Sequence, residues 1–413
     1  HYEIPWPNRE PVTARPLRRS PVYHLLAGSG ASFGSKMGWE RANVFAPAGT
    51  EPTLEYTWGK PNWLPWSIAE QRATRADVAI YDQTSFGKLL VSGRDAEALL
   101  QWLCTADLAV EPGRVVYTGM LNDRGGYESD VTITRLGHDE YLLVTSSGSV
   151  ERDRDWIKKH IGASRHVAVT DVTSALAVYG VMGPRSRALL QTLTRTDLSG
   201  DAFPFATSRQ LDLGHATVRA TRITYVGELG WELYVPSEFA VGVYEQLLAA
   251  GREFGLVQAG YYTINSLRLE KGYRAWGSDL TPDGNPVEAG LLFACKLKTD
   301  IAFVGREAVE KARAEGPRRK LVSIALDDPD VMLWGGEPVL RDGVAIGQVT
   351  SAGWADAVGG SVGLAYLRRR DGESVTKAYL ESGEYTINVG GTICSATVHL
   401  RPPYDPSGAK IKG

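Results

Sequence analysis

The stretch Tyr117 to Thr134 reads as two strands joined by a tight turn at Asp123-Arg124-Gly125-Gly126, with an acidic side chain, Asp130, on the second strand. Pairing Asn122 with Tyr127 puts Gly119 opposite Asp130 and Tyr117 diagonally from it on the same face, at roughly 7–8 Å between backbones, a gap that a tyrosine spans. The missing side chain of Gly119 leaves a hollow beside the carboxylate, and a carboxylate between an aromatic ring and a hollow can take up a proton. The plainer reading of Asp130 is a strand-edge residue that only hydrogen-bonds nearby backbone. A second hairpin is expected over Arg222 to Val235, with Gly227 to Gly230 as the turn and Tyr225 directly opposite Glu232. An aromatic face and a carboxylate at one spot suit a flat heterocycle with N–H donors: the ring stacks, and the carboxylate accepts a pair of hydrogen bonds. The alternative there is a cross-strand Tyr-Glu pair on the surface. A third piece, Tyr262 to Gly272, fits a helix closed by a C-terminal glycine, with Arg268 and Glu270 on different faces. It runs into a loop, 276–291, too rich in Gly, Pro and Asp for regular structure and expected to line a cleft.

The elements around these pieces alternate. A helix is expected over Trp66 to Ile80, a short glycine-bounded strand over Gly87 to Gly93, a helix with an acidic first turn over Asp95 to Leu103, a buried strand over Glu140 to Thr145 and a charged helix over Val150 to His160. Such alternation with hairpins indicates α+β layers. After a helix over Gly305 to Ala314 and the basic break Pro317-Arg318-Arg319-Lys320, short strands recur at 321–326, 338–340, 345–350, 362–366 and 385–389, a pattern that suits a small barrel or sandwich. Trp354 is placed on a loop, facing the interior channel or packed as core. Residues 1–62 carry eight prolines, from Pro5 to Pro61, and read as an extended connector on a neighbouring domain's surface, with one short helix within Ser20 to Ala31.

Composition narrows the function classes. The 413 residues are 43% hydrophobic and 23% charged, ordinary for a globular chain of two to three domains. With 45 basic against 48 acidic residues and a net charge of -3, no field favours nucleic acid or an anionic membrane. Cys104, Cys295 and Cys394 lack C-x-x-C spacing and read as reduced core residues, and the histidines show no ligand spacing, so neither a disulfide framework nor a metal site is expected. No apolar run approaches the ~20 residues of a membrane span, and the default compartment is the cytoplasm, with an organelle such as the mitochondrial matrix as the alternative.

The ordered motifs MLNDRGGYESD, TYVGELGWELYVP, SLRLEKGYRAWGSDLTPDGNPVEAGL and GQVTSAGWADAVGGSVGLAYLR with PPYDP resemble the aminomethyltransferase family, which includes the glycine-cleavage T-protein. The segment from His1-Tyr2 through Gly38-Trp39-Glu40-Arg41 is similar to the one that joins the flavin and folate halves of sarcosine and dimethylglycine dehydrogenases. The resemblance implies a three-lobed, folate-binding α+β fold with a C-terminal β-barrel. It implies residues 1–62 as a connector, 63–315 as the folate-binding domain in two lobes, and 316–413 as the barrel. By the same resemblance Asp130 matches the catalytic aspartate, Tyr117, Tyr225 and Glu232 match positions that hold the pteridine ring of tetrahydrofolate, and Arg268 matches the arginine of the family's LRLE helix. Asn265 and Ile264 stand where that helix carries an acidic residue and an arginine. The implied activity is capture of an iminium one-carbon unit, made from a methylated amine by an FAD-dependent half, to give 5,10-methylenetetrahydrofolate. No G-x-G-x-x-G follows a strand, and the chain begins at His1, so the flavin-binding domain or subunit is expected to lie outside it. A stand-alone folate-dependent transferase and a non-catalytic regulatory relative are the alternatives.

Overall fold

Alternation of apolar and polar residues sorts the strands of the computed structural model, which describes residues 4–413, into a two-stranded hairpin, two larger open sheets and a closed barrel. The His1-Tyr2 start of the connector motif lies outside the described residues. The first sheet is five-stranded, in the order Val115–Leu121, Tyr127–Gly137, Glu140–Thr145, Gly87–Ser92 and Ala168–Asp171. One of its faces carries Leu89, Val91, Val131, Ile133, Tyr141 and Leu143, all buried against the helices Ala96–Leu103 and Val150–Lys159. Its other face carries Asp130, Thr132, Leu142 and Val144.

The second sheet is six-stranded, in the order Ser208–Leu213, Ala216–Thr221, Gly230–Pro236, Leu176–Met182, Val78–Asp82 and Leu256–Gln258. Ile80, Tyr179, Val181, Trp231 and Leu233 fill the face that packs on the helix Ala240–Gly251. The opposite face presents Tyr81, Gly180, Met182, Glu232 and Tyr234, because these residues are direct cross-strand partners or two residues apart along a strand. Leu142 and Val144 of the first sheet meet Val178, Leu176 and Tyr234 of the second in one apolar cluster. The two sheets therefore face each other, and Asp130 and Glu232 project from them into the same layer.

The expected Trp66 to Ile80 helix is a helix over Leu64–Ala76, and the chain then turns into the strand Val78–Asp82. The run Val-Ala-Ile-Tyr is long enough to span a fully buried strand, and a strand apolar on both faces carries no period that distinguishes it from a continued helix. The helix expected at Tyr262 to Gly272 is present as Tyr261–Glu270, with Gly272 at φ +60°. It is buried on all sides, against the strand Trp39–Phe45, the helix Leu64–Ala76 and the barrel strand Val344–Ala355.

Residues 338–341, 344–355, 360–368, 385–389, 392–399 and 319–326 close a six-stranded barrel. The sixth strand, Thr392–His399, lies beyond the Gly390-Gly391 turn and reads poorly in sequence because its alternation is with exposed Thr, Ser and Ile. Trp354 is not on a loop: it sits on the strand Val344–Ala355 opposite Ser361, packed near Trp63, Leu64 and Met332 with the Lys60 ammonium 4.8 Å from its ring centre.

The proline-rich N-terminal region divides in two. Residues 46–63 have no regular structure, as their prolines dictate, but Tyr23–Gly28 is a helix and Ala31–Lys36 with Trp39–Phe45 a hairpin. Val22, Leu26, Ala31 and Ala42 join the core of the second sheet, and the carboxylate of Glu70 accepts from the backbone N–H of Phe45 at 2.8 Å and of Gly260 at 2.9 Å. A surface connector was the expectation for this segment. Between Pro21 and Pro47 its apolar residues instead bury themselves in the body of the fold.

Candidate functional site

The first hairpin forms with the expected pairing around Asp130: Gly119 lies opposite Asp130, and the Tyr117 hydroxyl donates to Asp130 Oδ2 at 3.0 Å. Nearer the turn the ladder slips by one, so that Leu121 rather than Asn122 pairs with Tyr127. Asn122 instead uses its side-chain oxygen to accept from the N–H groups of Arg124 and Gly126, both at 3.0 Å, which closes the turn. The slip carries the Tyr127 ring over Gly119, where a Cβ would come within 2.6 Å of it. The hollow expected beside Asp130 is thus filled by Tyr127, and the glycine is needed for close packing of that ring. Ser129, the next residue, points to the other face and donates to the buried Asp153 at 2.9 Å.

Asp130 is half-buried, and loss of solvent pushes its carboxyl up to about 6, opposed by the Tyr117 hydrogen bond and aided by the negative charge of Asp153. Glu232 is likewise half-buried and is pushed up by desolvation to about 7, opposed by the Tyr234 hydroxyl that donates to it at 2.6 Å. A carboxyl close to neutrality changes protonation state at little cost, which is what a proton acceptor requires.

The second hairpin is not formed as expected. Residues 222–229 are a loop, and the strand Gly230–Pro236 pairs with Ala216–Thr221 and Leu176–Met182, so that Glu232 faces Thr221 on one side and Gly180 on the other. The loop is held by Arg75, which donates to the Val226 carbonyl at 2.7 Å and to Glu228 at 3.0 Å. Tyr225 is therefore not the cross-strand partner of Glu232. Its ring stacks at 17° on Tyr273 with centres 5.8 Å apart, and its hydroxyl donates to the Arg274 carbonyl at 2.7 Å. It remains near the Asp130 end of the first hairpin, since the charges of Arg268, Asp130 and Asp279 all bear on its phenol, whose pKa is raised chiefly by burial.

Arg268 is 3% exposed, and its guanidinium is committed to protein groups: Asp279 at 2.8 Å, the Tyr273 carbonyl at 3.0 Å, and the Asn265 side-chain oxygen at 3.1 and 2.9 Å. Asn265, three residues earlier on the same helix face, also donates to the Ala352 carbonyl of the barrel at 3.1 Å. Asp279 is fully buried and accepts further from Ser351 at 2.7 Å, from Thr350 and from the N–H of Ala275 at 2.9 Å. The 276–291 loop is thereby pinned to both helix and barrel, and it is less irregular than expected: Asn285 caps a short helix, Pro286–Ala289, with Glu288 completing a capping box.

Sequence reasoning passed over Asp279, one of several aspartates in a loop whose composition suggested only turns. It also passed over Tyr261, whose hydroxyl meets Ser85 at 3.1 Å and whose ring lies 3.6 Å beneath the Arg41 guanidinium. Ser147 of the first sheet's rim donates to Ser85 at 3.0 Å, so this polar chain joins the two sheets close to Glu232. No periodic signal marks such residues. The i, i+3 spacing of Asn265 and Arg268 was the one local cue to the helix's polar side.

Among known proteins, the GCVT N-terminal domain family matches residues 22–299 and the glycine cleavage T-protein C-terminal barrel domain matches residues 319–405. The mitochondrial sarcosine dehydrogenase of Homo sapiens is 36% identical over the whole chain, which covers 49% of that protein, so this chain spans about half the length of such relatives. An aminomethyltransferase of Shouchella clausii is 34% identical, with 94% of this chain and 98% of that protein covered. The crystal structure of the glycine cleavage system aminomethyltransferase T from Bartonella henselae superposes with a TM-score of 0.79 at 24% identity, over 94% of this chain and 99% of that one, and so shares the fold.

Proposed function

The chain belongs to the glycine-cleavage T-protein family, and from that premise we propose that it is the tetrahydrofolate-binding part of an N-demethylating amine dehydrogenase of the sarcosine or dimethylglycine type. The observation that carries the reading is the pair of carboxyls lifted toward neutrality, Asp130 and Glu232, projecting from facing sheets into one layer walled by Tyr117 and Tyr225. That donor set fits a reduced pteridine. Among the described residues Glu232 has no cationic partner and accepts from Tyr234 alone, which leaves a second carboxylate oxygen for ring N–H groups. The rings of Tyr117 and Tyr225 offer flat apolar surface.

Bound tetrahydrofolate supplies the ring nitrogen that takes up the one-carbon unit. The chain's own residues do the rest. Glu232 orients the ring edge, and Tyr117 holds Asp130 through its hydroxyl. Asp130, near neutrality, takes the proton released as the carbon–nitrogen bond forms and while ionised stabilises a cationic iminium in front of it. Arg268 acts at one remove, keeping the Asp279 loop in place behind Tyr225. The iminium is assigned to oxidation of a methylated amine by an FAD-containing half outside this chain, consistent with the chain covering half of a sarcosine dehydrogenase. A stand-alone transferase is the competing reading, favoured by the nearly full coverage of the Shouchella clausii aminomethyltransferase.

Titration calorimetry of this chain with 5-formyltetrahydrofolate tests the core of the proposal, with binding expected in the absence of any flavin. No detectable heat at millimolar ligand overturns it. Assays of the full-length protein with methylated amines, against assays with a protein-bound aminomethyl donor, separate the dehydrogenase reading from the stand-alone one.

A further inference from the structure

Gln83 follows the strand Val78–Asp82 and is only 2% exposed, yet its side-chain oxygen has no hydrogen-bond partner among the described residues. Buried carboxamides are normally paired, since an unmet polar group inside a protein is costly. Its position explains what it can meet. The Gln83 backbone N–H extends the ladder by donating to the Val178 carbonyl at 2.8 Å, which sends the side chain to the same sheet face as Tyr81. On that face it lies over Gly180, where a Cβ would come within 2.7 Å of Gln83 Oε1. Gly180 is the direct cross-strand partner of Glu232. The Gln83 carboxamide and the Glu232 carboxyl are therefore neighbours across a glycine that has no side chain to separate them.

Resting on the folate-binding reading above, we propose that Gln83 is a ligand-binding residue that hydrogen-bonds the heterocycle edge adjoining the one held by Glu232. A carboxylate offers only acceptors, whereas a carboxamide offers an acceptor and two donors and exchanges them by a half-turn about its last bond. Side by side they recognise a ring edge on which a carbonyl or ring nitrogen adjoins N–H groups, as in a 2-amino-4-oxopteridine. Gly180 makes the pairing possible by leaving room for the carboxamide beside the carboxyl.

The experiment is calorimetry with 5-formyltetrahydrofolate on the wild-type chain, Gln83→Met and Gly180→Ala, with the thermal midpoint of each ligand-free protein measured in parallel. Gln83→Met keeps the side chain's length and removes its polar end. Its affinity is expected to fall on the order of tenfold, while its ligand-free midpoint stays equal or rises because an unmet buried oxygen has gone. Gly180→Ala leaves Gln83 intact but drives a methyl into the carboxamide, and is expected to weaken binding in the same direction. Affinity of both variants within twofold of wild type overturns the proposal, as does loss of affinity in Gln83→Met only in step with a lowered midpoint, the mark of a structural residue. Should wild type itself fail to bind, the folate reading falls; should wild type bind and both variants bind equally well, only the role of Gln83 falls.

Discussion

Asp130 and Glu232 share a cause, desolvation of a carboxyl, and differ in what surrounds it. Asp130 has a tyrosine hydroxyl and the charge of Asp153 nearby, whereas Glu232 has the Tyr234 hydroxyl and, on its face, the Gln83 side-chain oxygen that lacks a partner among the described residues. For Asp130→Asn the expected outcome is retained folate affinity with methylene transfer reduced on the order of 10²–10⁴-fold, since shape persists and the base is lost. On the proposed activity, the full-length protein carrying this change should accumulate formaldehyde in place of methylenetetrahydrofolate, and an unchanged product ratio would show that another residue takes the proton. The wild-type transfer rate should rise with pH through about 6 as Asp130 ionises, and this limb should be missing from Asp130→Asn. For Glu232, folate affinity should weaken as pH falls below about 7, where the acceptor becomes protonated. Glu232→Ala is expected to cost about 1–3 kcal/mol of binding at pH 8, and calorimetry across pH 6 to 8 checks both.

The helix Tyr261–Glu270 is the element that ties the site to the rest of the molecule, because Thr263, Arg268 and Glu270 each answer to a different neighbour. Thr263 donates to Glu70 at 2.6 Å, Arg268 to Asp279, and Glu270 accepts from Arg75 and from the Ala357 N–H at 3.1 Å. In a helix buried on every side these contacts fix its rotation, which apolar packing alone leaves loosely determined. Removing one member leaves the other as an uncompensated buried charge. Asp279→Ala is expected to destabilise the fold by about 3–5 kcal/mol, and Asp279→Asn by less, since its oxygen still accepts from Arg268. Urea denaturation midpoints distinguish them; equal, small effects would mean that Arg268 finds another partner.

Over the whole molecule, buried acids accumulate on the folded side of the proton balance. Burial raises Glu70 and Glu232 to about 7 and Asp130 and Asp153 to about 6. Raised acids bind protons more tightly in the folded state, so their stabilising contribution is full below the ordinary carboxyl range and is lost as pH rises through 6 to 7. His399 and Lys88, both lowered by burial, Lys88 to about 7, work the other way in this window but are two groups against four, and the acids that are lowered, such as Asp405 and Asp371, act below their ordinary value of 3.8. The ligand-free chain should therefore resist urea better at pH 5.5 than at pH 7.5. Proton release on folding across that interval, measured by calorimetry in buffers of different ionisation enthalpy, would contradict this balance.

Local pattern was enough to find the Tyr117 to Thr134 hairpin, the Arg268 helix and most barrel strands, because alternation, turn residues and a closing glycine act between residues near in sequence. It also set Tyr117 against Asp130, a contact within one hairpin. The outcome differed wherever a distant segment supplied the partner. Tyr127 entered the hollow beside Gly119 after a one-residue slip held by Asn122, and Arg75 kept residues 222–229 from pairing as a hairpin arm. The apolar residues between Pro21 and Pro47 found a core that their prolines gave no hint of. Which carboxyls would share a layer was decided only when two sheets packed face to face through Leu142, Val178 and Tyr234, since strand order and facing are set by burial of apolar area across the whole chain and not by any period within it.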